Sequence, residues 1–337
     1  MPGALTIAAA GPGTTIQDAG RFGWLRFGVT PAGPMDWAAL RTANLALGND
    51  PGAAAIEVGP GGLTVGVDAA TSLAFAGGAF RWTRDEQVLP GAARILLRPG
   101  ETLRARAGSR GAFSYLAVPG GVDVPAVMGS RATHLRSGLG GLEGRALRAG
   151  DRLGILGITA LDDGLIEAPW LETTDDPIRV VLGPQDDYFG KGGIAGFLEA
   201  TWTLTATADR MAYKFDGPPV PHARDFNIVS DGIALGAVQI AGDGKPMVLM
   251  ADRQPTGGYT KIAHVVRADI GRVAQMRPGD TLRFAAVAMD SAREALLAVE
   301  DRVARGGRLI PLRRTPTAEQ LRGLNLIGGV TDGTSEG

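Results

Sequence analysis

The apolar residues of this chain occur in many short runs that turn residues separate. The run 4–10 ends at Gly11-Pro12-Gly13, and the run 178–182 ends at Gly183-Pro184. Short apolar or alternating runs bounded by glycine and proline are typical of β-strands joined by tight turns. In the first half, this pattern predicts strands at 4–10, 63–67, 73–76, 94–97, 102–105, 112–118 and 152–156. The chain is therefore predicted to be mainly β.

Helical periodicity is confined to a few segments. Leu40, Ala43 and Leu47 share one helical face, and Asp36 stands where its carboxylate would cap the first turn. Gly48 is in the usual position to end this helix. After residue 287 the spacing is helical again, which predicts a helical C-terminal extension with a second short helix at 317–324.

The two halves of the chain share a sequence echo. Residues 98–104 read Arg-Pro-Gly-Glu-Thr-Leu-Arg, and residues 277–283 read Arg-Pro-Gly-Asp-Thr-Leu-Arg. Convergence is an alternative, because Pro-Gly before a strand is a common turn, but we favour two related β units. An acidic segment without β periodicity lies between them and is interpreted as a linker. The predicted division is a first domain at 1–160, a linker at 161–177, a second domain at 178–289 and an extension at 290–337.

Composition and charge exclude several classes of protein. Lys and Arg number 34 against 35 Asp and Glu, so the chain lacks the basic excess of a dedicated nucleic-acid binder. There is no cysteine, and the three histidines are far apart in sequence, so no metal site is expected. No signal-peptide pattern and no apolar run of about 18 residues is present, so neither secretion nor a membrane span is expected. The cytoplasm is the expected location.

Motifs for self-contained catalysis are missing. The sequence contains no phosphate-binding G-x-x-x-x-G-K-[ST] loop, no G-x-S-x-G elbow and no H-E-x-x-H zinc motif. It also lacks the Met-Lys-Met tripeptide of biotin carriers, so any biotin would arrive on another protein. These absences favour a chain that contributes only part of an active site.

The most informative stretch is 247–284. An apolar run is followed by Asp252 and Gln254, then by a Pro-Thr-Gly-Gly turn signal at 255–258, and then by Tyr259 and Lys261. Lys261 is suited to neutralise a carboxylate or phosphate, and Gln254 is suited to recognise an amide. The structural alternative is a β-hairpin with a polar turn.

Other polar residues are weaker candidates for the site. Arg131 and Ser130 follow a glycine in a long loop and suit anion binding, with a structural ion pair as the alternative for Arg131. Arg21 is expected to pair with Asp18. The remaining candidates are Asp36 (helix cap or base), Asn44 (buried amide or ligand), Glu57 (structural, or a base if burial raises its pKa) and Gln239 at a strand end.

Several longer motifs, in order along the chain, resemble those of the allophanate hydrolase subunit 2 family, also called KipA-like proteins or the C subunits of 5-oxoprolinase. The motifs are Thr15 to Gly23, Gly33 to Asp36, Glu57 to Pro60, Tyr115 to Gly121, Gly129 to Thr133, Leu182 to Phe189, Asp209 to Tyr213, Gly236 to Gln239 and Met247 to Phe284. Two positions depart from the family pattern: Thr260 stands where proline is expected, and Ala212 where glycine is usual. The resemblance covers nearly the whole chain.

The resemblance implies two cyclophilin-like β-barrel domains and an obligate partner similar to the KipI-like protein, the B subunit of 5-oxoprolinase. With that partner, and with ATP held jointly, the chain is expected to activate 5-oxoproline before a third, lactam-hydrolysing component, the A subunit, opens the ring. The site implied is Asp252, Lys261 and Glu57 as catalytic groups, with substrate bound by Arg131, Ser130, Gln239, Gln254, Tyr259, Arg21, Asp36 and Asn44. The chain alone is expected to be inactive.

Two alternatives follow from the same resemblance. The first is one half of a biotin-dependent carboxyltransferase that acts on urea or a related amide, with carboxybiotin supplied in trans. The second is a regulatory protein without catalytic activity that binds a KipI-like kinase inhibitor.

Overall fold

A computed structural model describes residues 3–172 and 174–312. The short helix predicted at 317–324 lies outside the described residues. Across the described part of the chain, no helix combines the length and the apolar composition needed to cross a membrane.

The first half consists of thirteen short strands and one helix. They are β1 (Ala4–Ala10), β2 (Thr15–Gln17), α1 (Trp37–Ala46), β3 (Ala55–Val58), β4 (Leu63–Val67), β5 (Thr71–Gly77), β6 (Arg81–Arg84), β7 (Gln87–Val88), β8 (Ala93–Leu97), β9 (Leu103–Arg106), β10 (Ser114–Ala117), β11 (Val122–Asp123), β12 (Arg152–Ile155) and β13 (Gly164–Glu167). The long loop between β11 and β12 contains a 3-10 turn, Leu135–Ser137, and three isolated β-bridges.

Up to residue 312, where the described part of the chain ends, the second half has ten strands and three α-helices. They are β14 (Ile178–Leu182), α2 (Gly190–Glu199), β15 (Trp202–Ala208), β16 (Ala212–Asp216), β17 (Asn227–Gly232), β18 (Ala237–Ile240), β19 (Pro246–Leu249), β20 (Thr256–Val265), α3 (Ile270–Ala274), β21 (Thr281–Leu282), β22 (Phe284–Ala286), α4 (Met289–Ala304) and β23 (Arg308–Pro311).

Two sheets pack face to face to form the first barrel-like unit. Their strand orders are β11-β12-β1-β4-β9-β6-β7 and β2-β3-β10-β5-β8-β13-β23. Alternate residues of each strand point inward, such as Leu5 and Ile7 of β1 and Leu73 and Phe75 of β5, and all four are fully buried. Trp82 stacks on Phe75 with ring centroids 4.2 Å apart. The first core is thus built by the period-two pattern of its strands.

A nine-stranded sheet forms the second unit. Eight strands follow the order β21-β15-β16-β19-β18-β20-β14-β22, and β17 pairs with β20 outside this path. Aromatic side chains fill its core, where Phe197 of α2 stacks on Phe284 at 4.7 Å between ring centroids. The prediction of a mainly β chain with two barrel-like units is confirmed.

Helix α1 lies between the two units. Asp36 caps it as predicted, since its Oδ1 accepts the Ala39 N–H at 3.1 Å, and Gly48 follows the helix with φ +73°. The buried residues Ala39, Leu40 and Ala43 join a core cluster that also contains residues of the second sheet and of the second unit. The helix therefore supplies much of the apolar contact between the halves.

The sequence echo corresponds to the same turn in both units. The Arg98 N–H donates to Oε2 of Glu101, and the Arg277 N–H donates to Oδ2 of Asp280, both at 2.8 Å. Gly100 and its counterpart in the second unit both have positive φ, 88° and 95°. The shared geometry agrees with two related units.

Three local predictions require correction. The segment 161–177 is not irregular, because strand β13 within it pairs with β8 and β23. The C-terminal extension is not only helical, because β23 returns to the first unit. Residues 256–258 are not a hairpin turn: they begin β20, where Gly257 and Thr256 pair with Asp231 and Gly232 of β17. The strand β20 is bonded to β18, β14 and β17 and not to the preceding β19.

Candidate functional site

The structure separates the predicted site residues of the second unit into two groups. Asp252 follows β19 and turns toward the first unit, whereas Lys261 lies within β20 beside Gln239 of β18, its partner in the strand register. We call Lys261, Gln239, Gln254, Gly257 and Asp231 the Lys261 cluster.

Lys261 is buried but paired with an exposed carboxylate. Its side chain is 2% exposed, and its Nζ lies 2.9 Å from Oδ2 of Asp231, whose side chain is 56% exposed. Asp231 belongs to β17, whose residues are mostly exposed. The Lys261 side chain carries its charge into the unit, where Asp231 of the covering strand neutralises it.

Three buried atoms of two glutamine amides near Gly257 have no hydrogen-bond partner in the described part of the chain, and one of these glutamines, Gln239, is the strand partner of Lys261. Within the described residues, Nε2 and Oε1 of Gln239 and Oε1 of Gln254 are buried and make no hydrogen bond. A Cβ atom at Gly257 would lie 3.1 Å from Nε2 of Gln239 and 3.6 Å from Nε2 of Gln254. The glycine therefore leaves space at the point where the two amides meet. Buried amides without partners are costly, and each needs a donor or an acceptor from elsewhere.

Tyr259 lies farther toward the exposed end of β20. It is 39% exposed and faces Asn227 of β17 in the strand register. Strand alternation places Tyr259 on the same side of β20 as Lys261. Tyr259 is thus available at the edge of the Lys261 cluster.

Asp252 forms part of a buried ionic network between the units. Arg210 donates from Nε and Nη2 to the two carboxylate oxygens of Asp252, at 2.9 and 2.8 Å. The same guanidinium bonds Oε1 of Glu57 and the carbonyl of Gly33 in the first unit. Glu57 is completely buried, and its Oε2 also accepts from the Tyr115 hydroxyl at 2.7 Å.

The charges of this network stabilise one another. Burial opposes the charge on Arg210, but Asp252 and Glu57 more than offset it and raise the pKa of the guanidinium. Burial also raises the pKa of Tyr115, an effect that the Glu57 carboxylate reinforces. Because hydrogen-bond donors occupy both oxygens of Glu57, the geometry favours a structural role for this residue over that of a general base.

A cleft of about 290 Å³ opens beside this network. We call it the Asp252 cleft; its walls are Gly13, Gly59, Pro60, Phe113, His134, Leu135, Arg136, Asp209, Arg210, Met211 and Asp252. Burial lowers the pKa of His134, with Asp252 acting in the opposite sense. The cleft brings groups from both units together in one place.

The candidates in the first-unit loops bind to one another. Asp18 accepts hydrogen bonds from the Ser130 hydroxyl at 2.6 Å and from the Arg131 N–H. The expected Arg21–Asp18 pair is not formed, because the buried Arg21 guanidinium donates instead to the carbonyls of Val127 and Ala132 at 2.9 Å. Nη1 of Arg21 is buried and has no partner within the described residues.

Asp36 and Asn44 are placed in the scaffold. Besides capping α1, Asp36 accepts from Nε2 of Gln275 in the second unit at 2.9 Å, and burial raises its pKa. Asn44 donates to the Ala53 carbonyl and accepts from Asn49, each at 2.9 Å. Both side chains use their polar atoms within the protein.

Sequence reasoning missed three residues of these sites. Arg210 lies within a family-like motif but was not assigned to the site, His134 was considered as a metal ligand and not assigned to the site, and Asp231 lies in a polar segment with no motif. The only usable signals were the family-like motifs at 129–133 and 209–213. Nothing local in the sequence indicates that Asp231 meets Lys261.

Comparison with known proteins gives a consistent result. A family model described as the carboxyltransferase domain, subdomain A and B, matches residues 27–286. The chain is 37% identical to the C subunit of 5-oxoprolinase from Escherichia coli (strain K12) over 295 residues, which cover 86% of this chain and 94% of that protein. It is also 37% identical to the C subunit of 5-oxoprolinase from Haemophilus influenzae, over 82% of this chain and 89% of that protein.

Among solved structures, the urea amidolyase of K. lactis is similar. The superposition has a TM-score of 0.84 at 28% identity and covers 94% of this chain. It covers only 21% of the urea amidolyase chain, so this protein spans about a fifth of that larger enzyme.

Proposed function

The chain belongs to the family of carboxyltransferase domains, subdomain A and B, and from this we propose that it is the C subunit of a heteromeric, ATP-dependent 5-oxoprolinase. The observation that carries the proposal is the Lys261 cluster, in which three buried amide atoms of Gln239 and Gln254 lack partners within the described residues and the strand neighbour of Gln239 is a buried cation. The similarity to C subunits of 5-oxoprolinase along nearly their whole length supports the same assignment.

The chemistry of 5-oxoproline matches this cluster. The compound carries a lactam, with one N–H donor and one C=O acceptor, and a carboxylate. A glutamine amide offers the complementary acceptor and donor, and a lysine ammonium offers a compact cation for the carboxylate. Gln239 and Gln254 would orient the lactam, and Lys261 would bind the carboxylate in exchange for Asp231.

A partner protein is proposed to complete the site. The sequence contains no phosphate-binding loop, and among the described residues no three carboxylate or imidazole groups converge as a metal site. On the basis of the missing phosphate-binding loop, we assign most of the nucleotide site to the KipI-like B subunit. ATP supplies the phosphoryl group that activates the lactam. The Asp252 cleft, which joins both units, is the candidate face toward this partner.

A carboxyltransferase half that acts on urea is the second candidate, because the urea amidolyase fold superimposes on nearly the whole chain. In that case carboxybiotin would be supplied in trans by another protein. Urea carries amide groups but no carboxylate, so in that case Lys261 would bind the carboxylate of carboxybiotin and not the amide substrate.

The test is reconstitution of the purified chain with its KipI-like partner and its lactam-hydrolysing partner. ADP release should depend on 5-oxoproline and on the partners, and the isolated chain should release none. Stimulation by urea with bicarbonate and a biotin carrier, without any by 5-oxoproline, would establish the second candidate instead. Substrate-dependent turnover by the chain alone would contradict the shared site.

A further inference from the structure

A half-enclosed pocket of about 110 Å³ lies where α1 meets the second unit. Its walls include Phe22 and Trp37 of the first unit and Leu235 of the second. The pocket shares no residue with the Lys261 cluster or the Asp252 cleft. Its polar lining is dominated by three arginines, Arg41, Arg253 and Arg267.

The three arginines of the pocket come from separate segments of the chain. Arg253 is 6% exposed and is held at the base by hydrogen bonds from Nε to the Ile233 carbonyl at 3.0 Å and from Nη1 to the Met250 carbonyl at 3.4 Å. The carbon atoms at the centres of the Arg41 and Arg267 guanidiniums lie 4.9 and 5.9 Å from the Trp37 ring centroid. These two side chains form the rim.

The positive charge in the pocket is poorly balanced by the protein. Among residues 3–172 and 174–312, no carboxylate lies within 4.0 Å of Arg253 or Arg267. Arg41 makes a long ion pair with Glu300, at 3.9 Å between partly exposed groups, which contributes little. Burial, reinforced by Arg267, lowers the pKa of Arg253 to about 10, although Asp252 acts in the opposite sense. A buried guanidinium without an ion-pair partner is unfavourable, so an anion bound at Arg253 would stabilise the folded protein.

We propose that this pocket binds a small phosphate-type dianion. Guanidinium groups present forked donors that match phosphate oxygens, and clusters of arginines recognise phosphate groups in many proteins. The volume exceeds that of one water molecule, about 30 Å³, and is below the roughly 300 Å³ at which pockets for whole drug-sized ligands begin. The ligand is therefore free inorganic phosphate or the terminal phosphate of a larger molecule.

The position of Arg253 gives the anion a structural consequence. Arg253 lies between Asp252, which pairs with Arg210, and Gln254, whose amide belongs to the Lys261 cluster. An anion bound to Arg253 and to Arg41 of α1 would fix this segment against the first unit. Phosphate would thus hold both candidate sites in their observed arrangement.

The experiment uses the isolated full-length chain. Titration calorimetry and thermal unfolding are measured with inorganic phosphate, with sodium chloride of equal ionic strength, and with AMP and ADP. Phosphate should bind, and it should raise the Tm more than chloride does at the same ionic strength. A nucleotide that binds more tightly than phosphate identifies a terminal phosphate as the ligand, and weaker binding identifies free phosphate; both outcomes support the pocket.

Variants locate the binding site. Arg253→Gln and Arg267→Gln should each weaken phosphate binding by about tenfold or more, the loss expected for one charged hydrogen-bonding group. Arg267 is on the rim, so its variant keeps the test valid if Arg253→Gln fails to fold. Arg152→Gln, at an exposed arginine on β12 paired with Asp68, is the matched control and should bind as the wild type does. The proposal would be overturned if phosphate raised the Tm no more than chloride does. It would also be overturned if both pocket variants bound phosphate as tightly as the wild type. None of these measurements involves 5-oxoproline.

Discussion

The Nζ atom of Lys261 lies 2.9 Å from Oδ2 of Asp231, a residue 30 positions earlier in the chain on the exposed strand β17. Asp231 is the ion-pair partner that makes the buried lysine tolerable. If Lys261 binds the substrate carboxylate, as we propose, Asp231 also competes with the substrate.

Lys261→Met should weaken the use of 5-oxoproline by the reconstituted complex. A charge-assisted hydrogen bond contributes about 1.5–3 kcal/mol, so kcat/KM should fall by roughly 10- to 150-fold. Most of the loss should appear in KM if Lys261 binds the carboxylate equally in the ground and transition states. The measurement is ADP release over a range of 5-oxoproline concentrations.

A substrate analogue separates this role from a structural one. The compound 2-pyrrolidinone lacks the carboxylate. As a competitor of 5-oxoproline, it should therefore bind equally weakly to the wild type and to Lys261→Met. Lys214→Met, at an exposed lysine paired with Asp243, is the control variant. If the Lys261→Met substitution weakens the binding of 2-pyrrolidinone as much as that of 5-oxoproline, Lys261 does not act by binding the substrate carboxylate.

Asp231→Asn should lower the KM for 5-oxoproline. The hydrogen bond from Lys261, followed by the Gly232 N–H, lowers the pKa of Asp231, so the competing carboxylate stays charged throughout the neutral range. Its neutral replacement competes less for the lysine, and a several-fold decrease in KM is expected, on the scale of one exposed ion pair. Asp243→Asn should leave KM unchanged. An increase in the KM of Asp231→Asn would mean that the aspartate positions the lysine for substrate.

Arg210→Met should strongly destabilise the protein. Glu57 is fully buried, and removal of its cationic partner leaves an uncompensated charge, which costs about 3–5 kcal/mol. The double variant Arg210→Met/Glu57→Gln should recover part of this loss, with a coupling free energy of roughly 1–3 kcal/mol. Urea unfolding of the wild type, of the single variants Arg210→Met and Glu57→Gln, and of the double variant gives these values. Strictly additive losses of unfolding free energy would show that the two residues do not interact.

The contribution of Asp36 to the free energy of unfolding should decrease as the pH rises. Burial raises its pKa in the folded protein, so the folded state binds the proton more tightly than the unfolded chain does. Its contribution is complete below the unfolded pKa of about 3.9 and is lost as the pH rises through the folded pKa. Compared with Asp36→Asn, which retains a capping side chain, the wild type should lose relative stability as the pH rises from about 4.

The measurement for Asp36 is urea unfolding of both proteins between about pH 4 and 8. A difference that stays constant, or that grows in favour of the wild type with rising pH, would contradict the raised pKa.

Features encoded by neighbouring residues were predictable from the sequence. The cap at Asp36 and the glycine after α1 follow from contacts within a few positions, and so do the repeated Arg-Pro-Gly turns. The run of short strands was predictable because the side-chain period of two is visible in the residues themselves.

Strand partners and site partners were not predictable in the same way. The paired glycines at 257 and 258 predicted a turn, but pairing with β17 draws them into an extended strand. The Arg210–Glu57 contact joins residues 153 positions apart, and the sequence near either residue does not encode it. The predicted set Asp252, Gln254, Tyr259 and Lys261 was therefore split into two groups by long-range pairing.

The strand β23 follows the second unit in the chain but belongs to a sheet of the first unit. Because Arg308–Pro311 pairs with Gly164–Glu167 at the edge of a first-unit sheet, the chain enters and leaves the second unit from the same neighbour. The second unit is thus tethered at both ends, and a wide hinge motion would have to separate β23 from β13. Such a motion would also disturb the apolar contacts that α1 makes with both units.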